Sequence, residues 1–281
     1  MEETYPTVDL CAALNVSPAG FYAWRGRQPS ARDHADSALG EEITAVFARS
    51  RRTYGSPRVV HALRRAGHAC GRRRVARIMR GRGLAGRTRG RRRVATTDSD
   101  HAEPIAPNRL RLRDSPPTRP DEVWTADITY VPTAEGWLYV AGVLDLPTRR
   151  LVGWSMAESL ETALPMSALQ MALHQRRPGP GLLHHSDRGC QYASEAYRDQ
   201  LGAWGVTPSM SRRGNCYDNA AMESFWSTLK EELVSRQRFE THAQARAAIF
   251  DFIETFYNRE RLHSALGYLS PVEFENQHQL N

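Results

Sequence analysis

The side chains with most chemical potential are three acids, Asp127, Asp187 and Glu223. Asp127 lies inside Val123–Val131, a run rich in β-formers. Aspartate is disfavoured within strands, and a buried carboxylate there needs a partner. Alternation places Asp127 with Val123, Thr125 and Thr129, opposite Trp124, Ile128 and Tyr130. The more apolar face can then pack inward while the acid's face borders a cleft. Asp187 directly follows the apolar strand Leu182–Ser186, and the chain turns at Gly189. Sites on α/β sheets collect at such strand ends. Glu223 belongs to a helix beginning near Asp218-Asn219, where Asp218 is a plausible cap. Three hard oxygen donors suit Mg²⁺ or Mn²⁺ rather than zinc. Two such ions about 4 Å apart can activate a water or a 3′-hydroxyl and stabilise the leaving oxygen of an in-line phosphodiester displacement.

Taken singly, such an acid is more often an edge or salt-bridge residue, and the combination is what carries weight. Thirty-five residues separate Asp187 from Glu223. Lys230 lies seven beyond Glu223, two turns along the same helix face. It is the only lysine among 38 basic residues, and a compact ammonium suits a phosphate contact. Other candidates have blander readings. His184 and His185 could touch metal or DNA, or fill the core. Asp145 could support the acids or sit as a rim charge. Asn258, Arg261 and His263 suit hydrogen bonding at a helix end or a DNA contact better than catalysis.

The elements that must position these residues follow a clear order. Residues 7–24 read as two short helices, with Phe21, Tyr22 and Trp24 either part of a helix-turn-helix or an aromatic anchor for the next module. Residues 38–50 form an amphipathic helix. A second helix starts at Ser56-Pro57 and stops at Gly67. A third starts near Gly71, with Val75, Ile78 and Met79 on one side and Arg72, Arg73, Arg74, Arg77 and Arg80 on the other. This resembles a helix-turn-helix whose basic helix enters the major groove or touches only phosphates. Residues 87–120 read as a linker, rich first in arginine and then in proline. Strands are expected at 123–131, 137–146, 150–156, 182–186 and 207–211. Helices are expected at 161–175, 194–204, 219–234 and 241–257, with a last one from Ser270-Pro271. That order, with three strands before the alternating units, implies a mixed sheet flanked by helices.

Composition narrows the partners. The formal net charge is +7, from 38 basic and 31 acidic residues. Between Arg49 and Arg93 stand seventeen arginines and no acid, so the rest of the chain is net acidic by ten. A segment so one-sided points to nucleic acid. No apolar run reaches the roughly 18 residues of a membrane helix. No secretory signal is visible at the start, so cytosol or nucleoid is the expected compartment. The cysteines Cys11, Cys70, Cys190 and Cys216 lack the spacing of a zinc site.

Four passages resemble the second-frame (OrfB) transposases of the bacterial IS-three insertion-sequence group, which carry a retroviral-integrase-like core. They are Trp124-Thr-Ala-Asp-Ile-Thr-Tyr130, His185-Ser-Asp-Arg-Gly-Cys-Gln-Tyr192, Gly214-Asn-Cys-Tyr-Asp-Asn-Ala-Ala-Met-Glu-Ser-Phe225 with Leu229-Lys230, and Tyr257-Asn-Arg-Glu-Arg-Leu-His-Ser-Ala-Leu-Gly-Tyr268. With Tyr54-Gly-Ser-Pro-Arg58 the likeness covers nearly the whole chain. It implies an RNase-H-like fold, with Asp127, Asp187 and Glu223 as ligands of Mg²⁺ or Mn²⁺, two ions in all. It implies cutting at element ends and joining to target DNA. It further implies a first-frame (OrfA) partner or a fusion to it, and a homo-oligomer in the synaptic complex. The chain itself has no sustained heptad and no His-His-Cys-Cys zinc module.

The expected fold class is therefore α/β: an RNase-H-like, mixed five-stranded sheet flanked by helices, preceded by a small all-α helix-turn-helix-like domain. The expected division is 1–36 as an N-terminal helical segment, 37–86 as the basic DNA-binding domain, 87–120 as linker, and 121–281 as catalytic core with a C-terminal helical extension. The expected function is metal-dependent DNA cleavage and strand transfer, in the bacterial cytoplasm and at the nucleoid. Two alternatives stand beside it: a DNA-binding regulator or partner subunit without independent catalysis, and a ribonuclease-H-like nuclease without transfer activity.

Overall fold

The computed structural model describes residues 5–87, 103–212 and 219–279. Arg91–Arg93 of the basic segment, Cys216 and the expected cap Asp218 lie outside the described residues.

Five helices come first. α1 (Thr7–Ala13) and α2 (Pro18–Arg25) form the N-terminal pair, with Ser17 capping α2 ahead of Pro18. Phe21, Tyr22 and Trp24 cluster among themselves. Tyr22 and Trp24 remain 54% and 67% exposed, so they face solvent instead of anchoring the next module. α3 (Ala31–Arg49) begins earlier than apolar periodicity indicates. Ser30 and Asp33 form a reciprocal capping box, a polar start signal that draws the helix out beyond its apolar stripe. The expected boundary between residues 36 and 37 thus falls inside α3. α4 (Ser56–Arg65) and α5 (Arg72–Gly81) pack their apolar sides with α3 around Ile43, Val59, Leu63 and Val75, all fully buried.

The sheet follows. β1 (Val123–Thr133), β2 (Gly136–Asp145) and β3 (Leu151–Ala157) run antiparallel, while β4 (Leu183–Ser186) and β5 (Thr207–Met210) run parallel to β1. The spatial order is β3-β2-β1-β4-β5. This is the mixed, RNase-H-like sheet expected from the sequence. Gly136 turns β1 into β2 with φ of 117°, a conformation open to glycine and strained for other residues. α6 (Ala163–Arg176), α7 (Cys190–Ala193) and α8 (Glu195–Ala203) supply the helices of one apolar cluster, which takes Trp124, Ala126, Ala141 and Val143 from the sheet. α9 (Ala220–Glu232) and α10 (His242–Asp251) pack in the other cluster, against Val131, Leu138, Val140 and Leu144. α10 widens into a π-helical turn over Phe252–Tyr257, and α11 (Pro271–Gln279) ends the described chain.

The second cluster also contains the apolar residues of α3, α4 and α5. The basic helical region and the C-terminal segment therefore share one interior. Polar contacts reinforce it across some two hundred positions of sequence. The Tyr54 hydroxyl accepts from the Leu262 N–H at 2.7 Å, and Arg58 Nε donates to the Leu262 carbonyl at 2.9 Å. His61 stacks on Tyr268 at 3.6 Å, and Arg51 pairs with Asp251 at 2.7 Å.

Candidate active site

Asp127 sits mid-β1, directly across from Gly142 of β2. A Cβ on Gly142 would stand 3.1 Å from the Trp226 ring and 3.2 Å from Met222. The missing side chain lets α9 close onto the sheet beside the acid. Helix α9 carries Glu223 in its first turn and exposes it, while Asp127 and Asp187 are half-buried. Asp187 follows β4, where its Oδ1 accepts the Gly189 N–H at 2.9 Å and tightens the turn.

The three acids share one electrostatic neighbourhood. Burial, then the charge of Asp187 and more weakly that of Glu223, push the Asp127 carboxyl up to about 8. The Ile128 N–H, 2.8 Å from Asp127 Oδ1, opposes this, as does the polar edge of Trp226. Lys230 places its Nζ 5.0 Å from the centre of the Tyr130 ring. Burial lowers its pKa, and the nearby Asp127 raises it. Among the described residues, no three His, Cys, Asp or Glu side chains stand close enough together to hold a metal ion between them. The donor set is nonetheless all carboxylate, and a carboxylate strained by like charges beside it is one that a divalent cation relieves.

Asn219 is a residue that spacing alone did not single out. It stands at the N-terminal boundary of α9 and is 7% exposed. Its Nδ2 donates to the Ala126 carbonyl at 3.1 Å, joining the acid-bearing helix to the acid-bearing strand. Gly142 could have been noticed, since glycine inside a strand marks a close approach.

The other expected residues separate from the acids. His184 Nε2 contacts the Tyr197 hydroxyl at 3.1 Å in the core, and burial lowers its pKa to about 3. His185 Nδ1 lies 2.9 Å from Ser209 Oγ, which also accepts the N–H groups of Arg109 and Leu110. That hydroxyl must donate to the imidazole and so anchors the linker. Asp145 is fully buried and accepts from the Asp121 N–H and both Thr148 donors, organising the turn after β2. Asn258 pairs both ways with the Leu151 backbone, each bond 3.0 Å. Arg261 binds Glu232 through two bonds of 2.7 and 2.6 Å. On α5, Arg74 and Arg77 bond to Asp36, and Arg77 is exposed just as Arg72, Arg73 and Arg80 are.

Against known families, residues 117–216 and 204–271 match models described as an integrase core domain, and residues 34–92 match an HTH-like domain. The insertion element IS600 uncharacterized 31 kDa protein of Shigella sonnei is 46% identical over 272 residues, covering 96% of this chain and 99% of that protein. Transposase InsF for insertion sequence IS3A of Escherichia coli K12 is 39% identical over 274 residues, covering 95% and 93%. The HTLV-2 integrase catalytic core domain, solved in complex with magnesium, aligns with a TM-score of 0.42 at 12% identity, covering 56% of this chain and 97% of that one. No helix among the described residues is long and apolar enough to cross a membrane. Domains of the integrase type use divalent metals and act on DNA. The chain belongs to the IS3 family of insertion-sequence transposases, enzymes that cut and join DNA through an integrase catalytic core.

Proposed function

We propose that Asp127, Asp187 and Glu223 are the acids with which this transposase holds divalent metal and directs cleavage and strand transfer. One observation carries the reading: β4, which Asp187 follows, pairs directly with β1, which carries Asp127, and the Asn219 bond to the Ala126 carbonyl ties the start of α9, with Glu223 in its first turn, to the same strand. Their oxygens suit Mg²⁺ or Mn²⁺, and a pair of such ions supplies activation of the attacking oxygen and stabilisation of the leaving one. The protein's share is placement. Asp127 and Asp187 sit on the sheet, Glu223 closes from α9, and Lys230 offers its ammonium to a neighbouring phosphate. Water is the nucleophile at the element end, and the freed 3′-hydroxyl is the nucleophile toward target DNA. Arg72, Arg73 and Arg80, with the flanking basic segment, give binding that weakens with salt. A first-frame product or its fusion, and a homo-oligomer that pairs two ends, complete the working complex in the bacterial cytoplasm at the nucleoid.

The test is cleavage and joining of labelled element ends in Mg²⁺ by Asp127→Asn, Asp187→Asn and Glu223→Gln. All three lose cleavage while still shifting the duplex on a gel. Metal-dependent cleavage surviving in all three variants would refute the assignment. Running the same assay with and without the first-frame product shows whether catalysis requires it.

A further inference from the structure

A cleft of about 790 Å³ lies beside the acids but contains none of them. We propose that it is a nucleotide-binding groove that seats the DNA strand leading to the scissile phosphate, a contact distinct from basic helix α5; the inference rests on the acid assignment above.

Position is the first argument. Thr125 lines the cleft and stands two residues before Asp127, on the same face of β1. Ser224 and Ser227 line it from α9, one residue and one turn beyond Glu223. A strand whose phosphate meets the acids therefore has its next nucleotides at these hydroxyls.

Charge is the second. Arg58, Arg87, Arg149 and Arg261 face carboxylates from Glu231 and Glu232 only. Glu232 is already bound by Arg261, with Arg58 at 3.8 Å. Arg149 has no carboxylate within ion-pair distance among the described residues. It holds a left-handed backbone, φ 60°, in the turn that Asp145 organises.

Unmet hydrogen bonding is the third. Asn219 lines the cleft, and its Oδ1 is buried without a partner. His263 also lines it, with Nε2 buried and unpartnered. Burial and then the charges of Arg261, Arg58 and Arg149 hold that imidazole neutral. A simple anion would meet the charge of Arg149 and leave the Asn219 oxygen wanting a donor. A nucleotide offers both phosphate oxygens and base N–H groups. The cleft volume falls within the roughly 300–1,000 Å³ of small-molecule sites.

The experiment uses the full chain in EDTA, so that no cleavage occurs, and a short fluorescein-labelled duplex with a single-stranded 3′ end. Arg149→Ala weakens binding about tenfold, the size of one lost charge-assisted bond. It lowers the slope of log affinity against log salt by about one. Its melting temperature stays that of the parent, because no ion pair is lost. Unchanged affinity and slope would overturn the proposal. As a second measurement, Ser227→Cys in a background carrying Cys70→Ser, Cys190→Ser and Cys216→Ser is offered duplexes with a thiol tethered to one phosphate. Disulfide capture is expected for tethers next to the 3′ end and not for interior ones. Capture that ignores tether position, or no capture at all, overturns it. Neither readout involves catalysis, so a failure of the acid assignment shows separately in the cleavage assay.

Discussion

Asn219 on helix α9 and Ala126 on strand β1 are joined by a 3.1 Å hydrogen bond from side-chain amide to backbone carbonyl, one residue before Asp127. Strand and helix each carry one of the acids, so this bond sets their spacing. Asn219→Ala is expected to slow cleavage by roughly 10–100-fold, the usual cost of losing a supporting group behind metal ligands. Mn²⁺ affinity, read by electron paramagnetic resonance, falls in parallel. Wild-type rate and Mn²⁺ affinity in the variant would remove Asn219 from this role.

The raised Asp127 carboxyl has a thermodynamic consequence. Its folded-state pKa of about 8 stands above the ordinary 3.8, so the folded protein binds this proton more tightly than the unfolded chain does. Metal-free protein should therefore lose stability as pH rises from the ordinary carboxylate range to about 8, then level off. Asp127→Asn removes the effect, and its melting temperature in EDTA exceeds the parent's by a few degrees (about 3 °C) near pH 8. Near pH 4 the two converge. Calorimetry across that range decides, and parallel curves for the two proteins would contradict the electrostatic account.

Glu232 and Arg261 form a buried pair, with side chains only 6% and 5% exposed. Glu232→Ala strands a guanidinium in the interior between α9 and the C-terminal motif. Urea denaturation should show a loss of about 3–5 kcal/mol. Arg65→Ala breaks the exposed pair with Glu273, where the side chains are 45% and 36% open, and costs under about 1 kcal/mol. Equal losses in the two variants would deny the buried pair its special weight.

The five arginines of α5 divide by their partners. Arg72→Ala and Arg80→Ala should weaken DNA binding and each reduce the salt slope by about one, with no change in melting. Arg74→Ala and Arg77→Ala should instead lower the stability of the helical region, because both bind Asp36 of α3. If all four variants lose affinity alike and none melts earlier, Asp36 is not what occupies Arg74 and Arg77.

Lys230 stands over Tyr130 and close enough to Asp127 for the two charges to interact. Lys230→Ala should reduce cleavage more than binding, since a single phosphate contact beside the acids is lost. Lys230→Arg should restore binding better than cleavage, because a planar guanidinium does not replace a compact ammonium over a ring. Full cleavage by Lys230→Ala would exclude the residue from the site.

Much of the fold could be read before any coordinates. Period-two runs and period-3.6 stripes locate the strands and helices, because each element must turn its apolar side to a core. The acids stood out by type, an aspartate inside a strand and another at a strand's end. Asn219 did not stand out, since its role is a contact with a residue distant in sequence, and Gly142 offered only the weak sign of a glycine inside a strand. The Asp36 pairs that divide the α5 arginines were hidden for the same reason.

The order of strands and helices and the basic character of residues 49–93 were legible in the sequence, as were the three acids proposed here to hold metal, because periodicity, residue chemistry and local charge are properties of neighbours along the chain. Tertiary structure alone decided that the Tyr54–Arg58 motif seats on the Leu262 backbone, that α9 approaches β1 over Gly142, and that a cleft opens beside the acids. Each depends on surfaces brought together from distant parts of the chain only when the core closes, and no local pattern encodes that distance.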